Sequence, residues 1–411
     1  MRYGLIGEKL GHSFSREIHA KLGRYDYELR EIPREEIAAF LAARAFSGIN
    51  VTIPYKTDVI PYLDELSALA REVGAVNTIV NRDGKLYGDN TDVAGLIATV
   101  RRMRPDLTGE TVLILGTGGA SRAAVAAAKR LGAEKIVRVS RTGRDGAVTY
   151  EDARLTYSDA GLLINTTPVG MFPHAGESPI DLSYFPRLSG VIDAIYNPLN
   201  TRLIQDAKKR GLKAENGLYM LVAQGMRSAE LFTGEPVGED VTERIFGELR
   251  FEKQSVALIG MPGSGKSTVG RLLADKLGKK LTDTDEEIVR RAGKTVPEIF
   301  QTQGERAFRN LESEVIRHLS LSGGGVIATG GGAILRKENV DALRSNGVLV
   351  FLDRPLSELT PTSDRPLSDR EDKLRALYRE REPLYRAAAD LTVPVRGTPE
   401  NTLFEIMEKL K

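Results

Sequence analysis

The segment SVALIGMPGSGKSTVGRLLADKLG, residues 255–278, is compatible with very few folds. An apolar run of strand character ends in a loop that fits G-x-x-x-x-G-K-[ST] in full, and a helical pattern begins at once. Loop amides at Gly263, Ser264 and Gly265 can wrap phosphate, Lys266 can reach the outer phosphates, and Ser267 can meet a magnesium ion, with Thr268 beside it. Such a loop works only where a strand delivers it and a helix N-terminus receives it, which predicts a parallel sheet with helices packed on it. ATP with Mg2+ is the expected ligand of the loop.

A second glycine loop lies upstream. GTGGASRAA, residues 116–124, follows the apolar strand TVLILG and opens the alanine-rich helix SRAAVAAAKRLG before the strand KIVRVS, so this stretch reads as one βαβ unit. Gly116, Gly118 and Gly119 permit a tight turn and a close approach of backbone to pyrophosphate, with Ala120 and Ser121 in the first helical turn; Ser121 takes the place of a third glycine. An NAD site would want a carboxylate after the next strand. This chain offers SRTGR instead, where Arg141 and Arg144 with Thr142 between them suit a 2′-phosphate, so NADPH/NADP+ is the expected cofactor. Two solvated loop arginines are the bland alternative.

At 411 residues the chain holds two or three domains by length. We expect residues 1–101 with 217–249, 102–216, and 250–411. The first hundred residues alternate short β-rich runs (RYGLIG, DYELREI, GINVTIP) with the helical patterns PREEIAAFLAAR and VIPYLDELSALAREVG, and VNRDGKLYG reads as a hairpin turning at Asp83 and Gly84. LRFEKQ reads as the linker between the halves, short and charged with no Pro, Gly or Ser spacer, so the halves are expected to sit close together. Lysine and arginine (58) nearly balance aspartate and glutamate (56) and no like-charge run stands out, which argues against a nucleic-acid partner. Cysteine is absent, so thiolate zinc sites and cysteine nucleophiles are excluded. The opening MRYGLIGEKLGHS breaks its apolar run early for a secretory segment, and no stretch approaches the apolar length of a membrane span. A soluble cytoplasmic protein with no membrane partner is expected, its oligomeric state left open.

Polar clusters punctuate the front half: GHSFS with Ser13 and Ser15, NVTIPYK with Asn50, Thr52 and Lys56, GAVNT with Asn77, and GDNTD with Asp92. Taken singly, the serines could be helix caps, Asp92 a helix-opening acid and Lys56 a solvated lysine. In this order, and with INTTPVGM, DAIYNP and NGLYMLVAQ further on, residues 1 to about 249 resemble shikimate dehydrogenase. One departure is Glu8 and Lys9, near where that family usually carries a proline. The resemblance implies that Lys56 and Asp92 form the acid/base pair in reducing 3-dehydroshikimate, that Ser13 and Ser15 hold the substrate carboxylate, and that Thr52, Asn77, Tyr196 and Gln224 contact ring substituents. With four scattered histidines, zinc is not on offer as the electrophile.

The P-loop has its own companions: LTDTDEEI with Asp283 and Asp285, GERAFRNLE with Arg309 and Glu312, ATGGGAI with Gly330, Gly331 and Gly332, DRPLSD with Arg365, and REPLYRAAAD with Arg381. From about residue 253 onward the chain resembles shikimate kinase. That resemblance implies a carboxylate clamp by Arg309 and Arg381, a proton acceptor at Asp285, magnesium held through Ser267 and Asp283, and ring contact by the bare backbone of Gly331 and Gly332. Arg365 falls to the nucleotide lid, where Leu356 to Arg370 is shorter than usual and lacks an arginine-rich helix. The bland alternatives are helix ion pairs at the arginines and an ordinary turn at TGGGA.

The expected architecture is therefore α/β: a substrate-binding α/β domain with a Rossmann-type NADP domain, followed by a P-loop kinase domain with a parallel sheet. The two glycine loops then share one explanation: the front half makes shikimate and the back half phosphorylates it. Two rivals stand beside this reading, an NAD-dependent quinate or shikimate oxidiser, and a dehydrogenase carrying a regulatory nucleotide-binding module.

Overall fold

Apolar strands that end in glycine loops assemble here into three sheets, in a computed structural model that describes residues 1–11, 13–172, 175–360 and 370–410. The first sheet takes β1 (Tyr3–Gly7), β2 (Glu28–Glu31), β3 (Gly48–Val51), β4 (Glu65–Leu66), β5 (Thr78–Arg82) and β6 (Lys85–Asp89) in the order β2-β1-β3-β5-β6-β4. It is mixed: β1 runs parallel to β2 and β3, and β4 to β6, while β5 is antiparallel to β3 and β6. The β5–β6 hairpin turns at Asp83 and Gly84, both at positive φ (52° and 82°), as the Asp-Gly pair predicts.

The second sheet is all parallel, with β7 (Thr111–Leu115), β8 (Lys135–Val139), β9 (Leu162–Asn165), β10 (Gly190–Asp193) and β11 (Lys213–Glu215) ordered β11-β10-β9-β7-β8. Because strand side chains alternate, Val112 and Ile114 enter one apolar core and Leu113 and Leu115 the other, so the strand is buried on both faces and reads as an unbroken apolar run. Chain connections leave β7 toward β8 on one side and reach β9 on the other. The crevice at that reversal, at the strand C-termini, is where a parallel sheet receives a ligand, and Gly116 stands at its lip.

The third sheet repeats the logic with β12 (Ser255–Ile259), β13 (Leu281–Asp283), β14 (Val326–Ala328), β15 (Gly347–Asp353) and β16 (Leu391–Pro394), parallel throughout in the order β13-β14-β12-β15-β16. Ala257 and Ile259 face one core, Val256 and Leu258 the other. The described chain forms two compact units, Met1–Asn197 with Thr201–Arg250, and Pro198–Asn200 with Phe251–Lys411. The first unit contains the first two sheets and the second the third.

Two expectations are corrected. VIPYLDELSALAREVG is not one helix: Ile60–Tyr62 is a single 3-10 turn, Glu65–Leu66 pairs with β6, and only Ala68–Val73 is α-helical. Pro61 within the first turn, the extended Leu63, and Ser67 capping the amide of Ala70 divide the pattern. LRFEKQ is not a loop linker, since the helix Glu239–Lys253 runs through LRFEK. Its charges are those of a helix surface.

Candidate active sites

Lys56 and Asp92 come from separate segments and meet: Nζ donates to Asp92 Oδ2 at 2.6 Å. Asp92 is the first residue of the helix Asp92–Met103, yet its carboxylate is used across the site, Oδ1 accepting from Asn77 Nδ2 at 2.9 Å. Asn77 also donates to Thr91 Oγ1 at 3.0 Å and to Gln224 Oε1 at 3.4 Å, while its own oxygen accepts from the Thr91 amide at 2.7 Å. Gln224 arrives from the helix Gly217–Thr233, which can lie against Asp92–Met103 because Gly95 has no side chain. A Cβ there would stand 2.6 Å from the Met220 carbonyl and 3.1 Å from Gln224 Cβ. Asn50 is buried and belongs to the scaffold: it accepts from Tyr27 and donates to the Asn77 carbonyl, Thr78 and Ser228.

Ser13 and Ser15 share a hydrogen bond of 3.2 Å. Ser13 Oγ also accepts the amide of Ser15, the first residue of the helix Ser15–Leu22, at 3.3 Å, so Ser13 serves a helix-opening amide as the bland reading has it, while Phe14 at the N-cap makes no side-chain bond. Phe14 packs on Tyr196 with ring centroids 5.1 Å apart, and burial pushes the Tyr196 phenol up to about 12. Thr52 follows β3 and lays its Cγ2 where a Cβ on Gly7 would approach within 2.7 Å. Among the described residues no hydrogen bond or ion pair joins Thr52, Ser13 or Ser15 to the Lys56–Asp92 pair.

At the cofactor loop, Gly116 has φ 111°, a conformation that favours glycine, and a Cβ would fall 2.7 Å from Thr166 Oγ1. Ser121, fully buried, donates to the Gly116 carbonyl at 2.7 Å and braces the turn, which explains a serine in place of a third glycine. Gly118 caps the helix Gly119–Arg130, with Ala120 in its first turn. A Cβ on Gly119 would lie 3.9 Å from Lys56 Cδ, so the loop opens beside the lysine. Arg141, Thr142 and Arg144 are exposed after β8, and among the described residues neither arginine is paired with a carboxylate. A bare glycine turn, a helix N-terminus and two exposed guanidinium groups are a donor set that fits a phosphorylated dinucleotide.

In the second unit Gly263 and Gly265 sit at φ 79° and 92°, turning the loop into the helix Lys266–Leu277. Lys266 is buried, its Nζ donating to the carbonyls of Gly260 and Met261 at 2.9 Å each. Ser267 Oγ donates to Asp283 Oδ2 at 2.7 Å, and Asp283 Oδ1 accepts the amide of Asp285 at 2.9 Å. One short chain thus joins the P-loop hydroxyl, the acid after the neighbouring strand, and Asp285. Ser264 and Thr268 lie within the loop and the first turn, and Ser264 Oγ is buried with no hydrogen-bond partner among the described residues. Hydroxyl and carboxylate oxygens side by side suit a hard cation. Arg365 lies outside the described residues, as does the stretch 361–369 of the segment Leu356 to Arg370 where a lid is expected.

Around Asp285 the glycines of TGGGA each face a different neighbour. A Cβ on Gly330 would come within 2.7 Å of Asp285 Oδ1 and 2.8 Å of Glu312 Oε1, on Gly331 within 2.9 Å of Pro262, and on Gly332 within 2.1 Å of Arg309 Nη1. An ordinary turn would need none of this clearance. Arg309 and Glu312 lie on the helix Val296–Ser322, kinked at Gly304, where φ is 81°. Nη1 donates to Glu312 Oε2 at 2.8 Å. Burial pulls the Arg309 guanidinium down, but the Glu312 and Glu305 carboxylates outweigh it and hold its pKa above the ordinary value. Burial pushes Glu312 up against the pull of Arg309. Arg381, on the helix Glu371–Ala388, donates to the Gly331 carbonyl at 3.1 Å, and Tyr385 one turn later donates to the same oxygen at 2.5 Å.

Several residues that build these sites lie inside or beside the quoted motifs without being singled out by them. Tyr385 has only its spacing of four from Arg381, Thr78 and Thr91 stand beside Asn77 and Asp92, and Ser228 stands one turn after Gln224. Thr91 sits in the polar run DNTD and Ser228 among helix-forming neighbours, and neither setting singles out a buried hydroxyl.

These arrangements have counterparts among known proteins. A family model described as the shikimate dehydrogenase substrate binding domain matches residues 5–79, and one described as shikimate kinase matches residues 262–411. A shikimate dehydrogenase (NADP(+)) of Clostridium perfringens is 37% identical over 265 residues, which span 60% of this chain and 98% of the relative. Shikimate dehydrogenase 1 from Peptoclostridium difficile superposes with a TM-score of 0.57 at 37% identity, over 61% of this chain and 99% of that one. Shikimate 5-dehydrogenase from Thermus thermophilus, solved in complex with NADP(H) and shikimate, gives 0.55 at 33% identity, covering 60% of this chain and 99% of its own. Over its first three-fifths the chain thus belongs to the shikimate dehydrogenase family, and a shikimate kinase domain follows in the same polypeptide.

Proposed function

We propose that this chain performs two consecutive reactions on one ring acid: NADPH-dependent reduction of 3-dehydroshikimate to shikimate, then ATP- and magnesium-dependent phosphorylation of the shikimate 3-hydroxyl. The observation that carries the reading is that each glycine loop opens beside its own catalytic cluster, Gly119 beside Lys56 and Ser267 joined through Asp283 to Asp285. NADPH supplies the hydride and magnesium-bound ATP the phosphoryl group. The 37% identical NADP(+) dehydrogenase and the exposed arginines after β8 favour NADPH over NAD.

In the dehydrogenase half, Lys56 donates a proton to the ring ketone oxygen, and Asp92 aims that ammonium through the 2.6 Å bond while holding a ring hydroxyl. Asn77, Gln224, Thr52 and Tyr196 contact ring substituents, and Ser13 with Ser15 holds the carboxylate. Gly116, Gly118, Gly119, Ala120 and Ser121 receive the pyrophosphate, and Arg141, Thr142 and Arg144 the 2′-phosphate. In the kinase half, Arg309 and Arg381 clamp the carboxylate, Gly331 and Gly332 leave room for the ring, and Asp285 takes the proton of the attacking hydroxyl. Gly263, Ser264, Gly265, Lys266 and Thr268 hold the phosphates, with Ser267 and Asp283 toward the metal and Arg365 on the lid.

Residues 1–101 with 217–249 serve as the substrate domain, 102–216 as the NADP domain and 250–411 as the kinase. Among the described residues no helix is long and apolar enough to cross a membrane, and we place the enzyme in the cytoplasm. The test is to mix the purified chain with 3-dehydroshikimate, NADPH, ATP and magnesium and identify the products. Shikimate 3-phosphate with matching NADP+ and ADP supports the reading; shikimate alone refutes the kinase half, and no NADPH oxidation refutes the dehydrogenase half.

A further inference from the structure

Ser228 is fully buried on the helix Gly217–Thr233, and its hydroxyl is the point where four segments of the first unit meet. Oγ donates to the Gln224 carbonyl at 3.0 Å and accepts from Asn50 Nδ2 at 2.8 Å. Thr78 Oγ1 and Thr91 Oγ1 each stand 3.0 Å away. A hydroxyl oxygen has two lone pairs and one proton. The proton goes to Gln224 and one lone pair to Asn50, so only one threonine can donate to Ser228.

The other threonine must turn its proton elsewhere, and its alternatives belong to the active site. Thr78 has Asn77 Oδ1 at 3.1 Å; Thr91 has Asn77 Oδ1 and Gln224 Oε1, each at 3.2 Å. Asn77 Nδ2 in turn holds Asp92 Oδ1 at 2.9 Å, and Asp92 holds Lys56. We infer that Ser228 is a positioning residue for the dehydrogenase reaction: its hydroxyl sets the proton order of Thr78 and Thr91, and through them the aim of the Asn77 and Gln224 amides and of Asp92. This rests on the reading that Lys56 and Asp92 carry the proton transfer.

A purely structural serine is the competing account, and the bond pattern argues against it. Asn50 Nδ2 keeps two other acceptors, the Asn77 carbonyl at 3.1 Å and Thr78 Oγ1 at 3.0 Å, so losing the Ser228 oxygen strands no buried donor. Alanine would fill nearly the same space and favours a helix more than serine does. What alanine cannot do is choose between the two threonines. The loss therefore falls on alignment rather than on folding.

Ser228→Ala tests this by steady-state kinetics. We expect kcat/KM for 3-dehydroshikimate to fall about 10-fold, with KM for NADPH and the kinase rate unchanged. In the Ser228→Ala background, Gln224→Ala should cost less than it does in the wild type, because the amide has already lost its aim. A lowered thermal midpoint with unchanged kinetic constants would overturn the inference, as would strict additivity of the two substitutions. Should the alanine variant prove insoluble, Ser228→Cys keeps the shape with a weaker acceptor; an intermediate loss supports the inference and wild-type constants sink it. Lys56→Ala measured alongside separates the two ideas: its retaining activity defeats the underlying reading, whereas an inactive Lys56→Ala beside a normal Ser228→Ala defeats only the role of Ser228.

Discussion

Gly332→Ala adds one methyl group to the kinase half and should nearly abolish its use of shikimate. The backbone gives little reason for a loss: Gly332 sits at φ −101° and ψ 0°, a bridge conformation open to alanine. The difficulty is space, since the new Cβ would lie 2.1 Å from Arg309 Nη1 and 2.4 Å from Cζ and Nη2. Restoring an ordinary contact of 3.4 Å requires a displacement of about 1.3 Å. Arginine tips usually yield, but this one is held by Glu312, a fully buried carboxylate 2.8 Å away. Pulling it off leaves that carboxylate uncompensated, at a cost of about 3 kcal/mol. If the loop yields instead, Gly331 is dragged from Arg381 and Tyr385, which share its carbonyl.

Either response misaligns the proposed carboxylate clamp of Arg309 and Arg381 by about 1 Å, an error that costs on the order of 100-fold in rate. ADP release at varied shikimate should show kcat/KM down about 100-fold, with NADPH oxidation by the other half unchanged as an internal standard. Gly247→Ala is the control: a Cβ there meets nothing within 4 Å, and activity should stay at the wild-type level. A Gly332→Ala enzyme within about threefold of wild type in kcat/KM for shikimate would refute the clamp as drawn, because Arg309 would then be free to move without consequence.

Other substitutions test other parts of the chain. Lys56→Ala should lower dehydrogenase kcat by about 100-fold or more and leave the kinase intact, measured by NADPH oxidation and ADP release on the same preparation. Arg141→Ala should raise KM for NADPH and leave NADH use nearly unchanged; equal weakening of both would make Arg141 structural. Asp193 is fully buried, and burial pushes its carboxyl up to about 6 against the bonds from Thr201, Ile195 and Asn165. The folded state then holds a proton that the unfolded chain has already lost, so stability falls as pH rises from about 4 to about 6, by about 3 kcal/mol in all. Asp193→Asn should flatten that fall in urea melts across the window, and an unchanged slope would show that Asp193 is not its source.

The fold was legible wherever one local pattern decides a conformation. An apolar strand, a glycine turn and a helix lie within some twenty residues of each other around Gly116 and again around Gly263, and hydrophobic runs such as TVLIL and VALI are unbroken because both faces of a parallel sheet are covered. The failures lie where a neighbour in space overrides the pattern. ELSALAREV has helical spacing throughout, but Glu65 and Leu66 are taken up by β6, whose position no local signal reveals. LRFEKQ has the charge of a linker and also that of an exposed helix end, and composition does not separate the two.

The two active sites differ in legibility for the same physical reason. Phosphate binding by a P-loop is done by consecutive backbone amides, so the sequence of the loop is nearly the sequence of the site. Shikimate chemistry needs side chains that converge from separate elements: Lys56, Asn77, Asp92, and Gln224 with Ser228 stand on four segments, and only their contacts tell which residues meet. TGGGA shows the limit most sharply. Its three glycines announce that side chains are unwelcome, but one clears Asp285 and Glu312, the next Pro262, and the last Arg309. These are three different constraints behind one spelling. A substitution at each position should therefore fail differently: at Gly330 against Asp285, the proposed proton acceptor, at Gly331 against Pro262 of the P-loop, and at Gly332 against Arg309 of the proposed carboxylate clamp.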